Sequence, residues 1–271
     1  MFMIILFWGI CMNHWTNLSI EYANQRNYLD DLFKIYPTIP DGIREINEQC
    51  WKDIERNFNN QNNVELIKSL LQCDLFPIKD SYVAYLKRDK AAIERNPQTI
   101  NRLAGRLYEM GLDKIYERCS EPKETNRQIG PLFKRWICSG ALGIQPVTLK
   151  EFISNNENAI LNATDTEMAM WCKEKLNYTR NKGLDFVARF NGKYIIGEAK
   201  FLTDFGGHQN AQFEDAVSTI ETPNVNAVKI AILDGVLYIN STNKIHTQLL
   251  KISEKHDIMS ALLLREYLYS I

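Results

Sequence analysis

Asp185, Glu198 and Lys200 lie within one stretch, Gly183 to Lys200, that reads GLDFVARFNGKYIIGEAK. Side chains two apart on a β-strand point the same way, so Glu198 and Lys200 share a face. A strand carrying Asp185, a tight turn at Asn191-Gly192 and a return strand bring Asp185 beside them. Two carboxylates and one ammonium converging on a point can hold a hard divalent cation and steer a water, which is chemistry for cutting a phosphodiester. The return strand, YIIGEAKF, is apolar enough to be central and buried. Charges there are costly unless paired or bound to a metal. The plainer alternative is a buried Glu–Lys pair or a solvated edge strand.

The residues after this strand, FLTDFGGHQN, put two glycines ahead of a helix that starts near His208. Glycines let backbone approach backbone, and a helix N-terminus welcomes phosphate. His208 can touch phosphate there, the plainer alternative being a simple cap or loop residue. Gln209 and Gln212, three apart, share a helix face that can look back at the site or at a DNA backbone. Asp204 reads as a loop residue. A second polar cluster, ETNRQIGPLFKRWICSG, carries Arg127, Gln128, Lys134, Arg135 and Trp136. Arg and Gln suit the edges of guanine and adenine, and Lys suits phosphates. Gly130-Pro131 is expected to present them on a sharp turn ahead of a short helix; the plainer alternative is a surface loop capping a helical domain. A third basic stretch, Lys87 to Arg106, interleaves its cations with acids and reads first as a solvated helix face.

The elements that must position these groups fall into two textures. From Asn17 to about Cys119 the apolar spacing is helical. Tyr28, Leu29, Leu32, Phe33 and Tyr36 recur until Pro37 stops the helix, and Ile43, Ile46, Cys50, Ile54 and Phe58 repeat the pattern. Pro97 opens a further helix that Gly111 closes. Thr148 with Glu151 forms a capping box, and Thr164 or Asp165 caps a helix running to Leu176. Past that helix the chain alternates as strands do. After the helix near His208, VNAVKIAILDGVLYI is expected to give two short strands around Asp234-Gly235, and the tail from Lys244 to Ile271 to be helical. Residues 12–147 are thus expected to be a mostly helical recognition or dimerisation region and residues 148–271 an α/β catalytic core, the two sharing one continuous globular unit.

Composition narrows the classes. In 271 residues, 45% of them hydrophobic, there is enough for a large globular core, and a net charge of −1 argues against a purely non-specific, histone-like nucleic-acid binder. The six cysteines form no CxxC pair and no zinc spacing, which suits reduced thiols in a cytoplasmic protein. No GxxxxGK[ST] occurs, which argues against an ATP-driven nuclease subunit unless a partner supplies the motor. The apolar opening, residues 1–11, is too short to span a bilayer and a poor signal peptide, and is expected to lie upstream of a true start at Met12, with a short buried segment or a membrane anchor as the other readings.

The order helix, Asp185 strand, Glu198–Lys200 strand, Gln209–Gln212 helix, further strands resembles the PD-(D/E)XK nuclease superfamily over roughly residues 165 to 240. Here the first acid follows Gly183-Leu184 where many relatives have proline. The resemblance implies an α/β (α+β) fold with a mixed β-sheet nuclease core flanked by helices. It implies Mg²⁺, with Mn²⁺ able to substitute, on Asp185, Glu198 and the carbonyl of Ala199, with Lys200 positioning the attacking water. An additional acid from the upstream helix is frequent in the superfamily, which makes Glu167 a candidate ligand and Glu174 its alternative. Chain size and the helical half are similar to type II restriction endonucleases, implying a homodimer that cleaves double-stranded DNA to leave 5′-phosphate and 3′-hydroxyl ends, with a cognate DNA methyltransferase protecting the host and no membrane partner. A repair, recombination or transposon-end nuclease on the same core is the alternative within enzymes, and a non-catalytic DNA-binding protein the alternative of another class.

Overall fold

A computed structural model describes residues 13–25, 27–38, 44–122 and 128–271. The apolar residues 1–11, Ile43 and Arg127 lie outside the described residues. The chain divides into two compact units, one of residues 1–38 with 125–271 and one of residues 39–124.

The larger unit begins with α1 (His14–Ala23) and α2 (Tyr28–Ile35), the latter ending before Pro37 as the sequence predicts. The smaller unit is wholly helical among its described residues: α3 (Glu48–Asn59), α4 (Asn63–Leu70), α5 (Ser81–Arg88), α6 (Ala92–Arg95), α7 (Pro97–Met110) and α8 (Leu112–Cys119). Asn47, Asn62 and Asp80 cap the first three through side-chain oxygens. Pro97 sits at the first position of α7, and Gly111, at φ +79°, ends it. The apolar faces meet in a core of Ile54, Leu66, Ile67, Leu70, Ile100, Leu103, Leu107 and Ile115.

The larger unit resumes with α9 (Ile129–Cys138), α10 (Leu149–Ser154), β1 (Ala159–Ile160), α11 (Asp165–Leu176), β2 (Phe186–Phe190), β3 (Lys193–Leu202), α12 (Gly207–Ile220), β4 (Val228–Gly235), α13 (Lys244–Ile252), β5 (Asp257–Met259) and α14 (Leu264–Ser270). The strands form one mixed sheet in the order β1-β2-β3-β4-β5. The first two pairings are antiparallel, and β3–β4 and β4–β5 are parallel. The β2–β3 hairpin turns through Asn191 and Gly192, whose φ of 49° and 75° meet the left-handed requirement of a two-residue hairpin turn. Strand β3 is central, with Ile195 packed in one core cluster and Ile196 in another with Trp171 and Cys172 of α11. Among the described residues, no helix is long and apolar enough to cross a membrane.

Four expectations need correction. The segment around Asp234-Gly235 is not two strands: β4 runs through both residues into a 3₁₀ turn over Val236–Tyr238. Asp234 is buried and hydrogen-bonded to Tyr36, Ser260 and the Ala261 N–H, so the pair that suggests an exposed turn is fixed by tertiary contacts. The C-terminal tail is not all helix, because β5 pairs with β4 inside it. Gly130-Pro131 makes no turn: both lie in the first turn of α9, where proline's missing N–H costs nothing. That helix is no cap of the helical region either, since Ile129, Leu132, Phe133 and Ile137 bury against the core of the sheet unit. Accordingly α9 belongs to the compact unit that holds the sheet.

Candidate active site

Asp185 is the residue just before β2, one step earlier than a place within the strand. Phe186 pairs with Gly197, so Asp185 lies alongside Glu198 across the antiparallel ladder. The approach to it is set by Gly183, where a Cβ would come within 2.8 Å of the Asp165 Cβ, and by the Leu184 N–H donating to the Asp165 carbonyl at 3.1 Å. The first turn of α11 thus presses on the segment that delivers the acid. Asp185 Oδ2 accepts the Ala199 N–H at 2.9 Å and the Lys200 ammonium at 3.4 Å. Lys200 also donates to Glu198 Oε1 in a very short contact. The three groups predicted from spacing therefore converge.

Glu198 is only 1% exposed. Burial pushes its carboxyl up to about 7 and the charge of Asp185 adds to the shift, while Lys200 and Lys182 pull the other way. For Lys200 burial opposes the charge, but Asp185 and then Glu198 outweigh it and raise its pKa. The unequal use of the two Glu198 oxygens is informative. Oε1 receives both lysines, whereas Oε2 is buried with no hydrogen-bond partner among the described residues. A buried acceptor of this kind ordinarily finds a partner.

Lys182, Asp215 and Arg180 are members of the site that sequence reasoning missed. Lys182 donates to Glu198 Oε1 at 2.5 Å and makes a very short ion pair with Asp215 of α12. Arg180 holds Asp215 from the other side at 3.2 Å and donates to the Asp215 carbonyl at 3.1 Å. Burial works against the Asp215 charge, but the hydrogen bond from Lys182 and the pull of Arg180 outweigh it and keep its pKa below the ordinary value. A signal was present: Asp215 continues the Gln209–Gln212 face by three residues.

The other candidates are placed as follows. Gln209 is buried and turns to Thr203, donating to its hydroxyl at 3.1 Å, with its own Oε1 unpartnered among the described residues. Gln212 is half-buried on the same helix and His208 is exposed in its first turn. Glu167 closes the capping box of α11, accepting the Thr164 N–H at 2.8 Å and hydroxyl at 2.7 Å, and it is exposed. Glu174, exposed on the same helix, pairs with Lys175. Lys134 donates to the Ala163 carbonyl at 2.5 Å and, with Asp185, lines a small cleft. Arg135 is exposed on α9 and Gln128 stands at its N-cap position.

Among the described residues, no group of three or more His, Cys, Asp or Glu side chains is arranged to hold a metal. Two carboxylates are present, and Mg²⁺ needs no more: it keeps several waters and is held by one or two carboxylates plus substrate phosphate oxygens. Hard oxygen donors on Asp185 and Glu198, with Glu198 Oε2 buried and unpaired, fit such an ion. The family model described as Tsp45I type II restriction enzyme matches residues 13–271. No curated protein and no solved structure matches the chain.

Proposed function

The chain belongs to the Tsp45I type II restriction enzyme family, and from that premise we propose that it hydrolyses double-stranded DNA at a specific sequence through Asp185, Glu198 and Lys200. Membership makes it an endonuclease of a restriction system with DNA as its substrate. The observation that carries the residue assignment is the half-paired Glu198: one oxygen of this buried carboxylate meets the Lys200 ammonium, which also reaches Asp185, while the other has no hydrogen-bond partner among the described residues.

Asp185 and Glu198, with the Ala199 carbonyl, would hold Mg²⁺, or Mn²⁺ in its place. When bound, the ion supplies Lewis-acid polarisation of the scissile phosphate and a more acidic water. The chain's own residues do the rest. The Ala199 N–H fixes Asp185 Oδ2, so the first acid cannot swing away from β3. Lys200, kept protonated by the two acids, orients the incoming water and offsets the charge that grows on the phosphoryl oxygens. Burial of Glu198 keeps bulk water off one side of the site and strengthens both effects. Attack in line with the leaving 3′ oxygen gives 5′-phosphate and 3′-hydroxyl ends.

Cutting both strands takes two such sites, which a two-fold homodimer supplies with the symmetry of a palindromic target. Base and phosphate contacts fall to the helical unit and to Arg127, Gln128, Lys134, Arg135, His208, Gln209 and Gln212. The Lys134 bond to Ala163 makes that residue the weakest of these candidates. A cytoplasmic setting, beside a methyltransferase that protects the host genome without needing to bind this chain, completes the reading.

The test is digestion of plasmid DNA of known sequence with Mg²⁺ or with EDTA, followed by sequencing of the ends. Discrete, metal-dependent fragments with one motif at every end are expected. A smear would favour a repair-type nuclease, and a mobility shift without cutting would favour a binder.

A further inference from the structure

Lys182 has no place in the three-residue constellation, yet it makes the second ion pair to the most buried acid of the site. Its ammonium bridges Glu198 Oε1 on β3 and Asp215 Oδ2 on α12. Asp215 is clamped in turn by Arg180, which also donates to Thr219 one helical turn further on. Lys182 and Asp215 are each 30% exposed by side chain, against 1% for Glu198. The chain of contacts thus runs from solvent-accessible groups to a dry carboxylate. Asp185 and Glu198 already face Lys200, so a divalent cation entering there meets two ammonium groups, one of which must give ground.

Among the described residues, one of the two has a carboxylate outside the acid pair to go to. Lys200 is pinned between both acids of the site, whereas Lys182 holds a second carboxylate away from it. We infer that Lys182 is a hand-over cation: it balances Glu198 when no divalent ion is bound and retires onto Asp215 when Glu198 takes its ion. Lys182 and Asp215 are positioning residues for the metal, acting through Glu198. This inference rests on the assignment of Asp185 and Glu198 as the metal site.

The experiment is a Ca²⁺ titration of DNA-free protein at pH 8.5, followed by thermal shift, with Glu198→Ala as the control. In the wild type the melting temperature should rise with Ca²⁺, and the control should lose that rise. Lys182→Met removes the competing cation and should lower the half-saturating Ca²⁺ about tenfold, the size of effect one nearby charge has on an ionisation. Asp215→Asn removes the refuge and should raise it about tenfold. In the double variant Asp215→Asn should change the midpoint less than about twofold, because Lys182 is no longer there to be received. Lys182→Gln replaces Lys182→Met if the latter does not purify folded. A purely structural ion pair would lower the variants' melting temperatures without moving the Ca²⁺ midpoint, and that result overturns the inference. So does an equal effect of Asp215→Asn with and without Lys182, which would make Asp215 act on the ion directly. If the wild type shows no Ca²⁺ response, or the Glu198 variant keeps it, the metal assignment itself fails and the hand-over falls with it.

Discussion

Two buried carboxylates sit on neighbouring parallel strands, Glu198 on β3 and Asp234 on β4, and they are treated in opposite ways. Asp234 is fully buried, and burial pushes it up to about 6. Both of its oxygens are used: Ser260 Oγ donates at 2.5 Å, the Tyr36 hydroxyl at 2.9 Å and the Ala261 N–H at 3.3 Å. Every donor is neutral, and together they tie the end of α2, β4 and the segment after β5 into one knot. Glu198 is almost as buried, but two ammonium groups crowd one oxygen and the other has no partner among the described residues. A buried acid with a complete shell of neutral donors fastens a fold. One with an incomplete shell of charged donors has a vacant ligating atom and is destabilising unless something cationic arrives. The contrast marks Asp234 as an acid fixed by the fold and leaves Glu198 as the candidate for a ligand, without reference to either residue's neighbours in sequence.

The sharpest way to break the contrast is Glu198→Gln. Cleavage in plasmid assays should fall by about 10³-fold or more, since the charge that recruits the metal is gone, while the melting temperature stays level or rises. Retained cutting would remove Glu198 from the metal site. Lys200→Ala comes next, with turnover down about 10²–10³-fold at saturating Mg²⁺, as loss of transition-state electrostatics does. A wild-type rate there would contradict its role. A third effect is on the metal requirement. Glu198 binds a proton below about 7 in competition with the metal, so the half-saturating Mg²⁺ should climb roughly tenfold for each pH unit below that value and stay flat above it. A half-saturation constant independent of pH from 5.5 to 7 would show that the group is not a ligand.

For the structural acid the expected readout is stability. Asp234→Ala strands three donors and should cost about 3 kcal/mol in urea unfolding below pH 3.8. The pKa in the fold lies above the ordinary 3.8, so the contribution of Asp234 is full below that value and is lost as pH rises through about 6. The gap between wild type and variant should therefore narrow over this interval, and a gap that widens would mean Asp234 is held as a charged group. The smallest effect is expected at Glu167. Glu167→Ala opens one capping box and should lower the melting temperature slightly with no change in Mg²⁺ requirement. A raised requirement would return it to the metal site.

Much of the site was legible in advance because its geometry is local. The turn at Asn191-Gly192 fixes the register of β2 against β3, and register alone brings Asp185 alongside Glu198. Capping at Thr148 and Thr164 and the stops at Pro37 and Gly111 were equally readable, since each depends on a residue's own backbone preference. What escaped is what depends on partners far away in the chain. Lys182 looks like a loop cation until Asp215, 33 residues on, is folded against it. Asp234-Gly235 looks like a turn until Tyr36 and Ser260, 198 and 26 residues distant, surround it.

The sequence by itself determined that two acids and an amine gather at one place, because alternation on a strand and a two-residue turn are short-range matters. Only the tertiary structure decided which acid keeps an oxygen unpartnered among the described residues, which lysine also reaches Asp215, and that α9 packs with the sheet unit. Those outcomes depend on desolvation and on which groups packing brings together, and neither is encoded in the spacing of neighbouring residues.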